Sequence, residues 1–325
     1  MEKEQLNIKD YSISMEELEE LLVSIEEEKI QQTVFFGNGI NLVSNPNVSW
    51  NNLLRSVSSC TFKYPPYTLQ YEDSYVNFLQ STTSKKSKEY DLKQQYLLPI
   101  KSIKTNRLYS LLAGLKVNNF ITTNYDVTLD KEFNALNYTR DTSVNTSEQV
   151  YSIRRLHRFI KGKVEKNVWY AHGEEKYPKS IMLGYDQYCG AIGLLNNYLK
   201  GNYKWPVNTL LDSMVKRINE SNTQIHSWID LFFFTDVHIF AFGLDYSEMD
   251  IWWILNRRKR MLVENKLTSL PNKIYFYMND LDPEKAKLLK DFDVIVVRVN
   301  VSRNNYNSAY QRIINNNKLV IPRIP

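Results

Sequence analysis

Cysteine is almost missing from this sequence. Cys60 and Cys189, the 2 cysteines of 325 residues, cannot build a disulfide framework or a CxxC metal pair. A stapled secreted scaffold and a four-cysteine zinc module are thereby excluded. Long apolar runs are missing too: the most apolar stretch, 231–244, is interrupted by Asp236 and His238 and is too short to span a bilayer. Charge of one sign is weak. The net charge of +5 is small and scattered, whereas a nucleic-acid surface needs basic residues gathered on one face. No internal repeat is visible. The polar start, Met1-Glu2-Lys3-Glu4-Gln5, lacks an apolar signal core, so the expectation is a cytoplasmic protein of a reducing compartment.

What is present is an ordinary globular mixture, 43% hydrophobic and 24% charged, with 22 Tyr and 14 Phe to fill cores. One large domain over 1–325 is expected. Acidic residues crowd the first thirty positions, and basic ones gather at Arg154–Lys163 and Arg257–Arg260. These read either as solvated helix faces or as patches that meet between subunits.

Residues 15–30 place Leu18, Leu21, Leu22 and Ile25 at helical spacing, with Ser14 as a plausible N-cap. Short apolar runs at 33–36, 120–123, 168–171, 180–184, 238–243, 273–278 and 293–299 are separated by helical stretches. That alternation predicts an α/β fold, a Rossmann-like parallel sheet with helices on both faces. The expected organisation is an N-terminal helical extension (1–30), a core (31–49, 118–186 and 236–300), helical insertions (50–117 and 187–235) and a C-terminal tail (301–325).

In such folds ligands lie outside the carboxyl ends of the strands. The residues following each strand are Gly37-Asn38-Gly39-Ile40-Asn41, Thr123-Asn124-Tyr125-Asp126, His172-Gly173, Gly243-Leu244-Asp245-Tyr246-Ser247 and Asn279-Asp280. Polar, glycine-flanked groups therefore converge. The glycine turn suits phosphate held on backbone N–H groups, although a plain tight turn fits it equally. Ser247-x-x-Asp250 matches a capping box, which explains those two residues without a ligand. Of the 4 histidines, His238 reads as a core residue, while His157 and His226 fall in expected helices with no chemistry around them. His172 alone ends a strand beside a glycine, where an imidazole can exchange a proton with a ligand. Asn124 can only donate and accept hydrogen bonds, so it would hold a water or a sugar hydroxyl.

In order, GNGIN, TTNYD, the HG of Tyr170-Ala171-His172-Gly173, the 180–184 segment and Gly243-Leu244-Asp245-Tyr246-Ser247 resemble the SIR2-like domains, especially their bacterial NAD⁺-hydrolysing, anti-phage branch. The resemblance spans about residues 31–299. It implies that Asn124 and His172 are required for NAD⁺ cleavage. It further implies that Gly37, Asn38 and Gly39 hold the pyrophosphate, and that Asp126 sits by the nicotinamide amide. Gly243, Ser247 and Asn279 would contact the adenosine half, and Thr123 and Asn41 are further expected NAD⁺-binding residues. Asn38 and Asn41 depart from the GAG-and-Ser pattern of sirtuins. The chain also lacks the four zinc cysteines, and Met182-Leu183-Gly184-Tyr185-Asp186 replaces the peptide-pairing FGE segment, which weakens a deacylase reading.

The expectation is an NAD⁺ hydrolase that releases nicotinamide and ADP-ribose as a defence effector, with NAD⁺ as substrate and no metal. The alternatives are an NAD⁺-dependent deacylase and a non-catalytic NAD⁺ or ADP-ribose sensor. Because uncontrolled hydrolysis would harm the host cell, control by a homo-oligomer or a separately encoded partner is expected. The acidic helix 15–30 and the basic run 257–260 are the candidate contacts. No membrane or nucleic-acid partner is expected.

Overall fold

The β-branched and aromatic runs pair into one sheet. In the computed structural model, which describes residues 8–24, 30–57, 66–81, 88–144, 150–204, 209–278, 282–299 and 305–315, its strands start with β1 (Ile13–Ser14), β2 (Gln32–Phe36) and β3 (Asn119–Thr122). There follow β4 (Thr139–Arg140), β5 (Leu156–Lys161), β6 (Val164–Tyr170), β7 (Asp236–Phe240), β8 (Ile274–Met278) and β9 (Val294–Arg298). The order is β1-β9-β8-β7-β2-β3-β6-β5-β4, parallel from β1 to β6 and antiparallel along β6-β5-β4. The chain lays down β2, β3 and β6 in one direction, then returns to add β7, β8 and β9 on the other side of β2. This is the doubly wound, Rossmann-like order, and its reversal lies between β2 and β7.

The helices before β3 are α1 (Met15–Ser24), α2 (Gly39–Leu42), α3 (Trp50–Val57), α4 (Tyr67–Ser81), α5 (Lys88–Lys101) and α6 (Arg107–Ala113). After it come α7 (Thr128–Ala135), α8 (Tyr185–Lys200), α9 (Met214–Asn219), α10 (Trp228–Phe234), α11 (Met249–Val263), α12 (Pro283–Asp291) and α13 (Tyr306–Asn315). Strand alternation divides the core in two. Phe35, Ile121, Ile239 and Phe276 point to one face, against residues of α10, α11 and α12; Val34, Phe36, Phe120 and Tyr275 point to the other, against α1, α6, α7 and α13. A third cluster joins α3, α4, α5 and α8 to Tyr125, Ile181, Met182 and Leu183, so a helical layer caps the carboxyl ends of β3 and β6.

Several expectations change. Residues 154–161 are not helical: Leu156–Lys161 form β5, an antiparallel neighbour of β6, and His157 is a buried strand residue. The 180–184 run pairs with no strand; it is a short 3₁₀ turn, Pro178–Ser180, followed by extended chain. α6 packs on the sheet through Leu108, Tyr109 and Leu112, so the first insertion ends before it. The charged patches are partly internal. Arg258 is fully buried, its guanidinium donating to Asn272, because α11 turns that face inward. Glu16 and Glu17 of α1 pair with Arg312 and Arg298 of the same chain, at 2.6 Å and 3.6 Å. Leu21, Leu22 and Ile25 lie among side chains or residues outside those described, as does Cys60; Cys189 is exposed on α8. Among the described residues, no helix is long and apolar enough to cross a membrane.

Candidate active site at the reversal of the sheet

The glycine turn after β2 lies against the exit of β7. Gly37 N–H donates to Phe240 O at 3.4 Å and Gly39 N–H to Ala241 O at 2.8 Å. A Cβ at Gly39 would meet Ala241 O at 2.7 Å, and one at Gly37 would meet Phe242 Cα at 2.9 Å. Close backbone approach explains both glycines. It also means that these two amides face backbone carbonyls, as in the plain tight turn that the sequence equally allows. The following helix α2 is a single turn.

Thr122 of β3 stands opposite Tyr170 of β6, so Asn124 and His172, each two residues further on, leave neighbouring strand ends at matching register. Asn124 is buried. Its Nδ2 donates to Gly37 O at 3.3 Å, and its backbone N–H to Thr122 Oγ1 at 3.0 Å. Its Oδ1 is buried with no hydrogen-bond partner, a state that buried carbonyls rarely tolerate. Beside it, Asn41 Nδ2 donates to Asp126 Oδ2 at 2.8 Å and to Asn38 Oδ1 at 3.0 Å. Tyr109 OH donates to Asn41 Oδ1 at 2.7 Å. Asn38 turns its own amide to Val48 O at 2.8 Å. Asn38, Asn41, Asn124 and Asp126 thus form one polar group, with Thr123 buried in the same loop. Asn38, Trp50, Leu53, Ile100, Tyr125 and Asp126 help to wall a cavity of about 10 Å³ at Asn124, space for a single water.

His172 occupies a second polar group. Its Nε2 lies 2.9 Å from Asp250 Oδ2, and its Nδ1 lies 3.6 Å from Glu248 Oε2, beyond hydrogen-bond length. Tyr188 OH donates to Glu248 at 2.9 Å and presents its ring edge-on to the imidazole, 5.6 Å between centroids. Burial disfavours the charged ring, but the charge and hydrogen bond of Asp250, aided by Glu248, outweigh it and raise the His172 pKa above the ordinary histidine value. Burial pushes Glu248 up to about 7, and Asp250 adds to the rise while His172 opposes it. Ligand atoms of His172, Glu248 and Asp250 lie within 4.8 Å of one another, close enough to consider a metal ion. The imidazole between the carboxylates offers counter-charge when protonated, while Asp250 Oδ1 is buried without a hydrogen-bond partner.

Tyr125 joins the two groups. Its carbonyl accepts from Glu175 N–H at 2.8 Å, its hydroxyl donates to Met182 O, and Met182 N–H donates to His172 O at 3.1 Å. The capping box of α11 does not form: Glu248 precedes the helix without a side-chain cap bond, and Asp250 turns to His172 instead. Ser247 is buried, with Thr68 Oγ1 at 3.5 Å from its Oγ. Gly243 lies outside both groups, its carbonyl accepting from Lys285 Nζ at 3.1 Å. Asn279 lies outside the described residues. Sequence reading missed Tyr188 and did not join Glu248 or Asp250 to His172, because only the folded sheet brings the start of α11 to the end of β6.

No protein-family model matches the chain, and no curated protein matches it.

Proposed function

We propose that the chain is a SIR2-like NAD⁺ hydrolase, an anti-phage effector that splits the bond between nicotinamide and ribose. The observation that carries this reading is the buried, unpartnered Oδ1 of Asn124, at matching register with a histidine steered by Asp250. Nicotinamide leaves a cationic pyridinium as a neutral molecule, taking the electron pair of the broken C–N bond, so no strong general acid is needed. The site has to hold the ribose, stabilise an oxocarbenium-like centre and deliver water.

Asn124 Oδ1 accepts a hydrogen bond from a ribose hydroxyl or the attacking water, which also supplies its missing partner. Asp250 holds His172 through Nε2–H. Nδ1, with Glu248 at 3.6 Å, is then the nitrogen that takes the proton released as water oxygen bonds to the ribose carbon. In this reading Asp126, held by Asn41 and Tyr109, accepts from the nicotinamide amide. Because the cavity at Asn124 is so small, turnover requires an opened state, in keeping with control by self-assembly or by a partner protein.

The test is incubation with NAD⁺ and chromatography of the products. Nicotinamide and ADP-ribose are expected without any acyl acceptor, and Asn124→Ala and His172→Ala should each lower release by about 100-fold or more while leaving the fold intact. Full activity in both folded variants would reject the assignment. Turnover that requires an acylated peptide would favour a deacylase, and calorimetric binding without products would favour a sensor.

A further inference from the structure

A second buried histidine lies one strand away from the site, and the mechanism above does not use it. His157 of β5 has its Nδ1 2.6 Å from Asp130 Oδ2, and its Nε2 3.2 Å from Glu174 Oε2. Both carboxylates have further partners. Tyr170 OH donates to Asp130 Oδ1 at 2.8 Å, and Arg155 Nη1 donates to Glu174 Oε1 at 3.2 Å. All five side chains are buried, and the His157 ring lies 4.7 Å from that of Tyr170. The two carboxylates and the two cationic groups balance in charge, so no member is left as an isolated buried ion.

The connectivity is informative. Asp130 lies in the first turn of α7, the helix that directly follows the Thr123–Asp126 loop. Glu174 lies two residues after His172, its N–H held by Ser180 Oγ at 3.1 Å. His157 therefore bonds at one ring edge to the element that ends the asparagine loop, and at the other to the loop that carries the histidine. An imidazole is rigid, so its two nitrogens hold the two carboxylates at a set separation.

We infer that His157 is a positioning residue, a pin that fixes the spacing between the loops carrying Asn124 and His172. This deepens the hydrolase reading and rests on it only for the kinetic part of the test. Near-attack geometry is sensitive to small displacements, and an error of about 1 Å can lower a rate by about 100-fold.

The experiment uses three variants of the full chain. His157→Asn keeps an amide near the Nδ1 position, His157→Gln keeps one near Nε2, and His157→Phe keeps the ring but neither bond. Hydrogen exchange is read in the 123–130 and 172–176 segments, with nicotinamide release measured in parallel. His157→Asn should speed exchange in the 172–176 segment alone, His157→Gln in the 123–130 segment alone, and His157→Phe in both. Release by His157→Phe should fall by about 10- to 100-fold in kcat with KM little changed, and the amide variants should recover part of it. Wild-type exchange in both segments, or wholesale unfolding of all three variants, would overturn the pin. If the wild type releases no nicotinamide, the hydrolase reading fails, while the exchange pattern still decides the role of His157.

Discussion

The His172 imidazole lies between carboxylates of unequal reach, in hydrogen-bond contact with Asp250 and only in Coulombic contact with Glu248. A base held in this way acts only when neutral, so activity should rise with pH as the raised His172 value is crossed. Asp250→Asn keeps the shape but removes the charge that counts most in that rise. In the pH profile of kcat/KM, the acidic limb should therefore move to lower pH, with a maximum about 10- to 100-fold lower from the loosened ring. An unmoved limb would show that Asp250 does not govern this titration. At this scale the sequence was half legible. His172 and Asn124 stand out because each ends a strand beside residues that suit no core. Asp250 was disguised, since a carboxylate at the start of a helix is the ordinary sign of a cap, and only the sheet brings it to a residue 78 positions away.

Among the elements, the turn after β6 tolerates least. Gly173 has φ of +98°, and a Cβ there would meet Ser180 O at 2.3 Å, so strain and overlap act together. Gly173→Ala should destabilise the protein by about 3 kcal/mol or more, measured as a shift in urea midpoint at constant slope. Gly162, also at positive φ but with open space around it, should respond more mildly to the same substitution. The contrast separates overlap from backbone strain. Central strands were readable because burial on both faces leaves continuous apolar runs, as in Phe120-Ile121 and Ile274–Met278. β5 was not. Its sequence, Leu-His-Arg-Phe-Ile-Lys, mixes buried Leu156, His157 and Phe159 with charged and exposed positions, and pairing with β6 rather than composition makes it a strand.

At the level of the whole molecule, proton binding gives a measurable signature. His157 and His172 titrate above the ordinary histidine value in the folded state, and Glu248 at about 7 lies above the ordinary carboxylate. The folded state thus holds protons that the unfolded chain releases, and stability is lost as pH climbs through those raised values. His238, pushed by burial down to about 3, has the opposite sign, but its effect is complete once the unfolded histidine is neutral. Near and above pH 8 Lys166, lowered by burial to about 8, also has the opposite sign. The denaturation midpoint should therefore fall as pH climbs from the ordinary histidine value through the raised values of His157 and His172, and fall less in His157→Gln. A midpoint that is flat or rising over that interval would contradict the assigned charge states. Nucleotide binding should carry a kinetic mark of the closed site. Stopped-flow rates for NAD⁺ binding to the Asn124→Ala variant should level off at high concentration, as expected when opening precedes binding; rates that stay linear would mean that no gate is present.

Tyr125 belongs to two neighbourhoods at once. Its ring is part of the apolar cluster that holds α3, α4 and α5 together, while its backbone lies between Asn124 and Asp126. Any rearrangement of that helical layer would therefore bear on a ring whose two neighbours along the chain are Asn124 and Asp126.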